Sequence, residues 1–277
     1  MLRRLFVTRK DDKNPGDHWA CPIHFFDEFQ GNDWIDILDI ACDIDDTNFD
    51  QYDQIIVGGG GLLYNKNFGD ILTHIIGNHI KKVWIWGAGV NAPYGRAAYQ
   101  DKIDQDCDSY DYEINFKRSQ TGLRDQQEYF DVLPCVSCMH PVFDEEIEEE
   151  YTHLVIPSFK FHDLNVQQFN GYKRINQVNN TIENIVREIK RAKVIITQSY
   201  HSAYWAALCG KQPVIFAPWS RKFLYNSFGA PVVSRHNADF KGLEWILDYK
   251  KQSKDNAYLL DCRERNQKFY EKVTAND

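Results

Sequence analysis

Basic charge is in short supply: 32 Lys and Arg stand against 40 Asp and Glu, a formal net charge of -8. Without a basic field there is little to attract a phosphate backbone or an anionic membrane surface, so nucleic acid is not an expected partner. Also lacking is any apolar run of membrane-spanning length. The opening MLRRLFVTRKDDKN turns polar before a secretory core could form, and a cytoplasmic location is expected. The seven cysteines are odd in number and scattered over the chain, which suits reduced thiols better than a disulfide framework. Their one close pair, Cys135 and Cys138 in LPCVSCMHP, has no second ligand pair, so buried thiols are favoured over a zinc or redox site. Low-complexity tracts and short repeats are missing too.

What the 277 residues do contain is aromatic bulk, 14% of the chain, enough to fill a core or line a cleft. Short β-rich segments alternate with helical ones throughout, the pattern of parallel sheets covered on both faces. In the first half RRLFVTR, WIDILDI, DQIIVGG, KVWIWGAG and YEINFKRS read as strands. GDHWACPIHFFDEF reads as a loop running into a helix, FGDILTHIIGNHIKK as an amphipathic helix and RDQQEYF as a short one. The acidic run Phe143–Tyr151 reads as a solvated linker. Beyond it come strand THLVIPSF, helix TIENIVREIKRAK with Thr181 as N-cap, strand VIITQS, helix HSAYWAALCG closed by Gly210, and strand PVIFAP. Helix RKFLYNSFG, strand APVVS and two closing helices, FKGLEWILDYKKQ and NAYLLDCRERNQKFYEKV, complete the chain. The expectation is an α/β fold of two Rossmann-like domains, residues 1–145 and 146–277, facing across a cleft. Ligands in such sheets bind outside the carboxyl ends of the strands.

Four consecutive glycines, Gly58 to Gly61, follow the strand QIIV and invite comparison with nucleotide loops. A P-loop needs GxxxxGK[ST], and the Lys and hydroxyl are missing here. A dinucleotide fingerprint fits only loosely at the next strand, where Gly87, Gly89 and Ala92 fall in GxGxxA register ahead of Pro93. Two readings stay open for the glycine run: close backbone approach to a ligand, or a tight strand-to-helix turn packed on a neighbouring segment.

Five segments in order then carry a resemblance: NPGDHWACP, IIVGGGGLL, WIWGAGVN, GLRDQQ and ITQSYHSAYWAALCGKQPVIF. Together, from about Asn14 to Lys222, they resemble the polysaccharide pyruvyltransferase family, whose members move the carboxyvinyl unit of phosphoenolpyruvate onto a sugar as a pyruvate ketal. The resemblance implies a GT-B-like fold with phosphoenolpyruvate bound between the domains. The acceptor, a sugar or oligosaccharide, lipid-linked or not, would sit on the N-terminal side. It also implies that Arg124, in the RD segment, helps bind phosphoenolpyruvate, and that His201 is essential. Asp125, Arg221 and Lys222 are expected near the donor. Ser199 stands where many relatives carry an Arg, a departure that Arg118, Arg221 or Lys222 would have to offset.

Read as residues, the same positions keep structural alternatives. Arg124 could equally form an ion pair with Asp125 or Glu128, His201 could be a satisfied helix-start histidine, and Asp17 a turn residue in NPGD. On the functional reading Arg124 grips a carboxylate or phosphate and His201 contacts the phosphate or supplies a proton. Asp17, with Asn14 beside it, orients or deprotonates the acceptor, and Gly59 and Gly60 approach the ligand through their backbone. No metal or cofactor is required: the carboxylate strings at Asp43–Asp45 and Asp104–Asp108 read as solvated turns. Trp19 or Trp219 is expected in the cleft, and Trp84 and Trp86 in the packing. A GT-B glycosyltransferase using a sugar nucleotide and a non-catalytic sugar-binding relative are the competing functions.

Overall fold

The computed structural model describes residues 2–42, 47–63, 65–91, 116–117, 120–125, 130–157, 169, 171–216, 228–233 and 256–275. Outside them lie Ala92, Pro93, Asp104–Asp108, Arg118, Trp219, Arg221 and Lys222, most of YEINFKRS, and the helices expected over 221–229 and 240–252.

Among the described residues the first half forms a parallel sheet in the order β2-β1-β3-β4-β5-β6. Its strands are β1 (Arg4–Thr8), β2 (Asp33–Asp36), β3 (Gln54–Gly58), β4 (Val83–Ala88), β5 (Thr121–Leu123) and β6 (Asp131–Val132). Every residue of β1, β3 and β4 is buried, which explains why these segments read as continuous apolar runs rather than alternating ones. The chain steps from β1 outward to β2, then back past β1 to β3. The topological switch therefore lies between β1 and β3, where an α/β sheet opens a crevice at its strand ends.

The second half repeats the plan in the order β11-β10-β9-β7-β8, with β7 (Tyr151–Ile156), β8 (Lys173–Arg174), β9 (Ala192–Thr197), β10 (Gln212–Phe216) and β11 (Val232–Val233). Its switch falls between β7 and β9. Helix α4 (Ile182–Arg191) buries Ile182, Ile185, Val186 and Ile189 on one face, and Thr181 caps it by accepting from Asn184 N–H. Gly210, with φ +68°, ends the following helix α5 (Tyr200–Leu208), as its sequence position predicts.

Two segments depart from the expectation. WIDILDI is a strand only to Asp36. From Ile37 it is a short helix, α2 (Ile37–Cys42), which buries Ile37 and Ile40 at a helical spacing of three. The helix expected in GDHWACPIHFFDEF is instead one four-residue turn, α1 (Pro15–His18), followed by 3-10 turns Pro22–His24 and Asp27–Phe29, because Pro22 breaks the register. The acidic run is the solvated linker expected, but it is pinned by ion pairs. Glu145 holds Arg187 through two hydrogen bonds of 2.7 Å, Glu149 holds Lys211 and Glu150 holds Arg191.

The closing helix α6 (Ala257–Thr274) belongs to both halves. Leu259 and Cys262 join the core of the second sheet, whereas Phe269 and Val273 pack with Phe6, Trp84 and Trp86 of the first. Between them Asn266, fully buried, accepts from Trp86 Nε1 at 2.8 Å and donates to the Pro134 carbonyl at 3.1 Å. The linking segment supplies Cys135 and Cys138 to the same interior. Burial pushes both thiols above their ordinary range, so they are packing groups.

Candidate active site

Loops that follow the strands of both sheets meet at a pocket of about 520 Å³. After β1 it receives Asn14 and Asp17; after β3, Gly61, Asn65 and Asn67; after β4 and β5, Asn91 and Arg124; after β8, Gln177; after β9, Gln198, Ser199, Tyr200 and His201. Both topological switch points thus deliver residues to one concavity, the position in which doubly wound sheets bind ligands.

Arg124 leaves the end of β5 and is 1% exposed. Its guanidinium lies over the ring of Tyr200 at 3.8 Å and beside Asp125, with Nε 3.6 Å from Oδ1. Gly89 makes room for it: a Cβ there would sit 2.3 Å from Nη2 and 2.4 Å from Nε. Burial works against the charge, but Asp125, Tyr200, Cys135 and Asp17 outweigh it and raise the Arg124 pKa above its ordinary value. Nη2 makes no hydrogen bond among the described residues. A buried guanidinium with an unused donor carries a desolvation cost that a bound carboxylate or phosphate would offset.

Asp125 accepts from the N–H of Val90 and is as buried as Arg124; it anchors β4 to β5 and orients the guanidinium. It is not among the pocket-lining residues.

His201 occupies the first turn of α5. Ser199 is the N-cap, its hydroxyl accepting from Ser202 N–H at 3.3 Å, while its own N–H donates to Thr197 Oγ1 at 2.9 Å. The helix N-terminus and the imidazole therefore reach the pocket together. The imidazole lies against Gly16, where a Cβ would come 2.3 Å from Nδ1. A second helix start borders the same space: Asn65 caps α3 (Lys66–His79) by accepting from Asn67 N–H at 3.0 Å. Asp17 accepts from Asn14 Nδ2 at 2.7 Å, a contact within the turn.

The glycine run divides between the two readings. Gly59, with φ +77°, closes on the backbone of Ala20, where a Cβ would meet the carbonyl oxygen at 1.9 Å. Gly60, with φ +75°, faces Asp17 Oδ1, and Gly61 forms the pocket wall. Of the aromatic residues, Trp84 and Trp86 are buried in the packing. Trp19 packs on the second core beside His140, with ring centroids 4.6 Å apart, and does not line the pocket.

Among the expected site residues, then, the pocket gathers Asn14, Asp17, Arg124, Ser199 and His201. Sequence reasoning missed Gly16 and Gly89, which shape the space around His201 and Arg124, and the amide side chains Asn65, Asn67, Asn91, Gln177 and Gln198. Gly89 stood out only as part of a dinucleotide pattern, and the amides carry no local signal.

No protein-family model matches the chain, and no curated protein sequence matches it. Among solved structures it is similar to the Methanocaldococcus jannaschii UDP-GlcNAc 2-epimerase in complex with UDP-GlcNAc and UDP. That likeness has a TM-score of 0.51 and 10% identity over 97% of this chain and 98% of that one. The fold is GT-B-like. An uncharacterised protein of Klebsiella pneumoniae subsp. pneumoniae NTUH-K2044 gives a TM-score of 0.46 and 14% identity over 84% of this chain and 93% of that one. An alpha-glucosyltransferase in complex with UDP-glucose and DNA containing an abasic site gives 0.38 and 8%, over 98% and 95%. At 10% identity the epimerase likeness speaks for the GT-B-like architecture alone.

Proposed function

We propose that the chain is a carbohydrate-active transferase that takes phosphoenolpyruvate as donor and builds a pyruvate ketal on two hydroxyls of a sugar in a polysaccharide or its precursor. The observation that carries the donor side is Arg124: a buried guanidinium, held on Tyr200 and against Gly89, with Nη2 unused among the described residues. Phosphoenolpyruvate offers a carboxylate and a phosphate within three carbons, which suits Arg124 together with the start of α5 and His201.

On this reading the methylene carbon of phosphoenolpyruvate is protonated and one sugar hydroxyl adds to the neighbouring carbon. Phosphate then leaves, and the second hydroxyl closes the ketal. Of the two hydroxyl protons, one ends on the methyl group and the other departs with phosphate. His201 contacts the phosphate or delivers the proton to carbon, and Asp17 takes a hydroxyl proton. The amides of Asn65, Asn67, Asn91 and Gln198 both donate and accept, which suits sugar hydroxyls, with Asn14 and Ser199 completing the wall. Arg221 and Lys222 are proposed as further donor contacts.

The test mixes the protein with phosphoenolpyruvate and a panel of simple glycosides, following phosphate release and the mass gain of a ketal. Turnover on an acceptor with release of one phosphate per ketal is expected. Absence of both turnover and phosphoenolpyruvate binding heat defeats the proposal. A sugar-nucleotide donor is the second reading, favoured by the fold shared with an epimerase in complex with UDP-GlcNAc and UDP. Protection by UDP, with none by phosphoenolpyruvate, would select it. Sugar binding without turnover of either donor would select a non-catalytic relative.

A further inference from the structure

Behind the pocket runs a chain of side-chain hydrogen bonds that joins the two halves of the protein. Ser202 Oγ donates to Gln177 Oε1 at 3.0 Å, Gln177 Nε2 donates to Asn14 Oδ1 at 3.0 Å, and Asn14 Nδ2 donates to Asp17 Oδ2 at 2.7 Å. Ser202 is fully buried on the first turn of α5, one residue after His201, and Gln177 is buried in the loop after β8. Asn14 and Asp17 belong to the turn after β1. Parallel to this relay, Asn179 N–H donates to the Lys13 carbonyl at 2.9 Å, which fixes the two loops against each other.

The relay has a direction, and the charge on Asp17 sets it. A carboxylate only accepts, so Asn14 must turn its Nδ2 toward Asp17 and its Oδ1 toward Gln177. Gln177 must then present Nε2 to Asn14 and Oε1 to Ser202, whose hydroxyl is left to donate. Reversing any one amide would place two acceptors face to face in a buried position, which costs about 1–3 kcal/mol. Conversely, a protonated Asp17 accommodates the reverse order.

We propose that Gln177 and Asn14 are positioning residues for Asp17: they hold its ionised form and tie the acceptor-side carboxylate to the helix that carries His201. The inference rests on the reading of Asp17 as acceptor base. Among the described residues, the charged and titratable groups around Asp17 include Arg124 and Cys135, both in electrostatic contact with it, His201 against the neighbouring Gly16, and Asp11, Lys13 and His18 of its own turn. None of these is altered by a change at Gln177, but Gln177→Glu adds a negative charge that raises the Asp17 midpoint by itself, so the neutral Gln177→Leu, in which Asn14 Oδ1 loses its donor and the reverse order is no longer opposed, reports on the relay.

The decisive experiment compares wild type, Gln177→Glu and Gln177→Leu. Gln177→Glu keeps an acceptor for Ser202 but removes the donor to Asn14. The Asn14 amide then turns its Nδ2 toward position 177 and presents Oδ1 to Asp17, disfavouring the carboxylate. Followed by carbon-13 NMR of the Asp17 carboxyl without substrate, the Asp17 midpoint moves up in both variants, and the rise in the neutral Gln177→Leu is the part owed to the relay. The acid limb of the kcat profile moves with it. Gln177→Leu lowers kcat about tenfold while leaving KM for phosphoenolpyruvate within about twofold, since the donor contacts are untouched.

An unchanged Asp17 midpoint in folded Gln177→Leu overturns the proposal, whatever Gln177→Glu shows, as does a uniform loss of stability with an unmoved pH profile. Should Gln177→Leu fail to fold, Ser202→Ala, which removes only the last donor, must still move the midpoint upward. If wild type shows no turnover, the function proposed above fails, whereas the NMR titration still decides the relay.

Discussion

A buried arginine is both an anion site and a structural pillar, and substitutions separate the two roles. Arg124→Ala strands Asp125, 1% exposed, without its cation, and a stability loss of about 3–5 kcal/mol in denaturant unfolding is expected. The pairing with Asp125 that the sequence allows is thus a buried one. Gly89→Ala is the cleaner probe. The three atoms nearest its methyl group are Nη2, Nε and Cζ of Arg124, so the guanidinium must give way first. Turnover should fall about tenfold to a hundredfold, with a smaller loss of melting temperature than in Arg124→Ala, because the cation is kept and only misplaced. Melting curves and steady-state kinetics on the same preparation check both outcomes. Arg124 and His201 were legible in the sequence through the motifs around them. Gly16 and Gly89 were not, because what each makes room for is a side chain more than thirty residues away in sequence.

Elements were legible in proportion to how local their causes are. Helix α4 announces itself through its cap and its apolar face, both set within ten residues. The start of α2 did not, since Ile37 and Ile40 suit a strand as well as a helix until packing decides. The double allegiance of α6 was hidden for the same reason: its sequence shows an amphipathic helix but not the partner of each face. Asn266 carries the consequence. Asn266→Ala removes the acceptor for buried Trp86 Nε1 and the donor to Pro134, so a loss of about 2–4 kcal/mol is expected in urea unfolding, read by Trp fluorescence. A loss below about 0.5 kcal/mol would mean that the two halves do not depend on this contact.

At the scale of the whole molecule, stability should respond to acid through His24. Burial, reinforced by neighbouring His18, pushes His24 from 6.5 down to about 4. Above pH 6.5 the imidazole is neutral in both folded and unfolded chains and has no effect on pH dependence. Between 6.5 and about 4 only the unfolded chain gains the proton, so stability falls with pH across that window and then levels for this group. His24→Gln should flatten that part of a melting-temperature profile. Ligand acts on the same scale. Phosphoenolpyruvate at a hundred times its Kd should stabilise the folded protein by about 2.7 kcal/mol, seen as one shifted transition rather than two. Two parallel sheets were legible in the alternation of strands and helices. The pocket's amide lining was not, because its members come from five separate loops.

Helix α6 also has a consequence for how the protein is made. Phe6, Trp84 and Trp86 leave the ribosome early, yet Phe269 and Val273, which seal them, are added only near residue 270. During synthesis that face of the first sheet is covered in part by Phe26 and Phe29 and waits for the rest of its cover. A chain arrested before residue 256 should therefore leave that face open to chaperones and proteases, and the exposure should end only once α6 has cleared the ribosome.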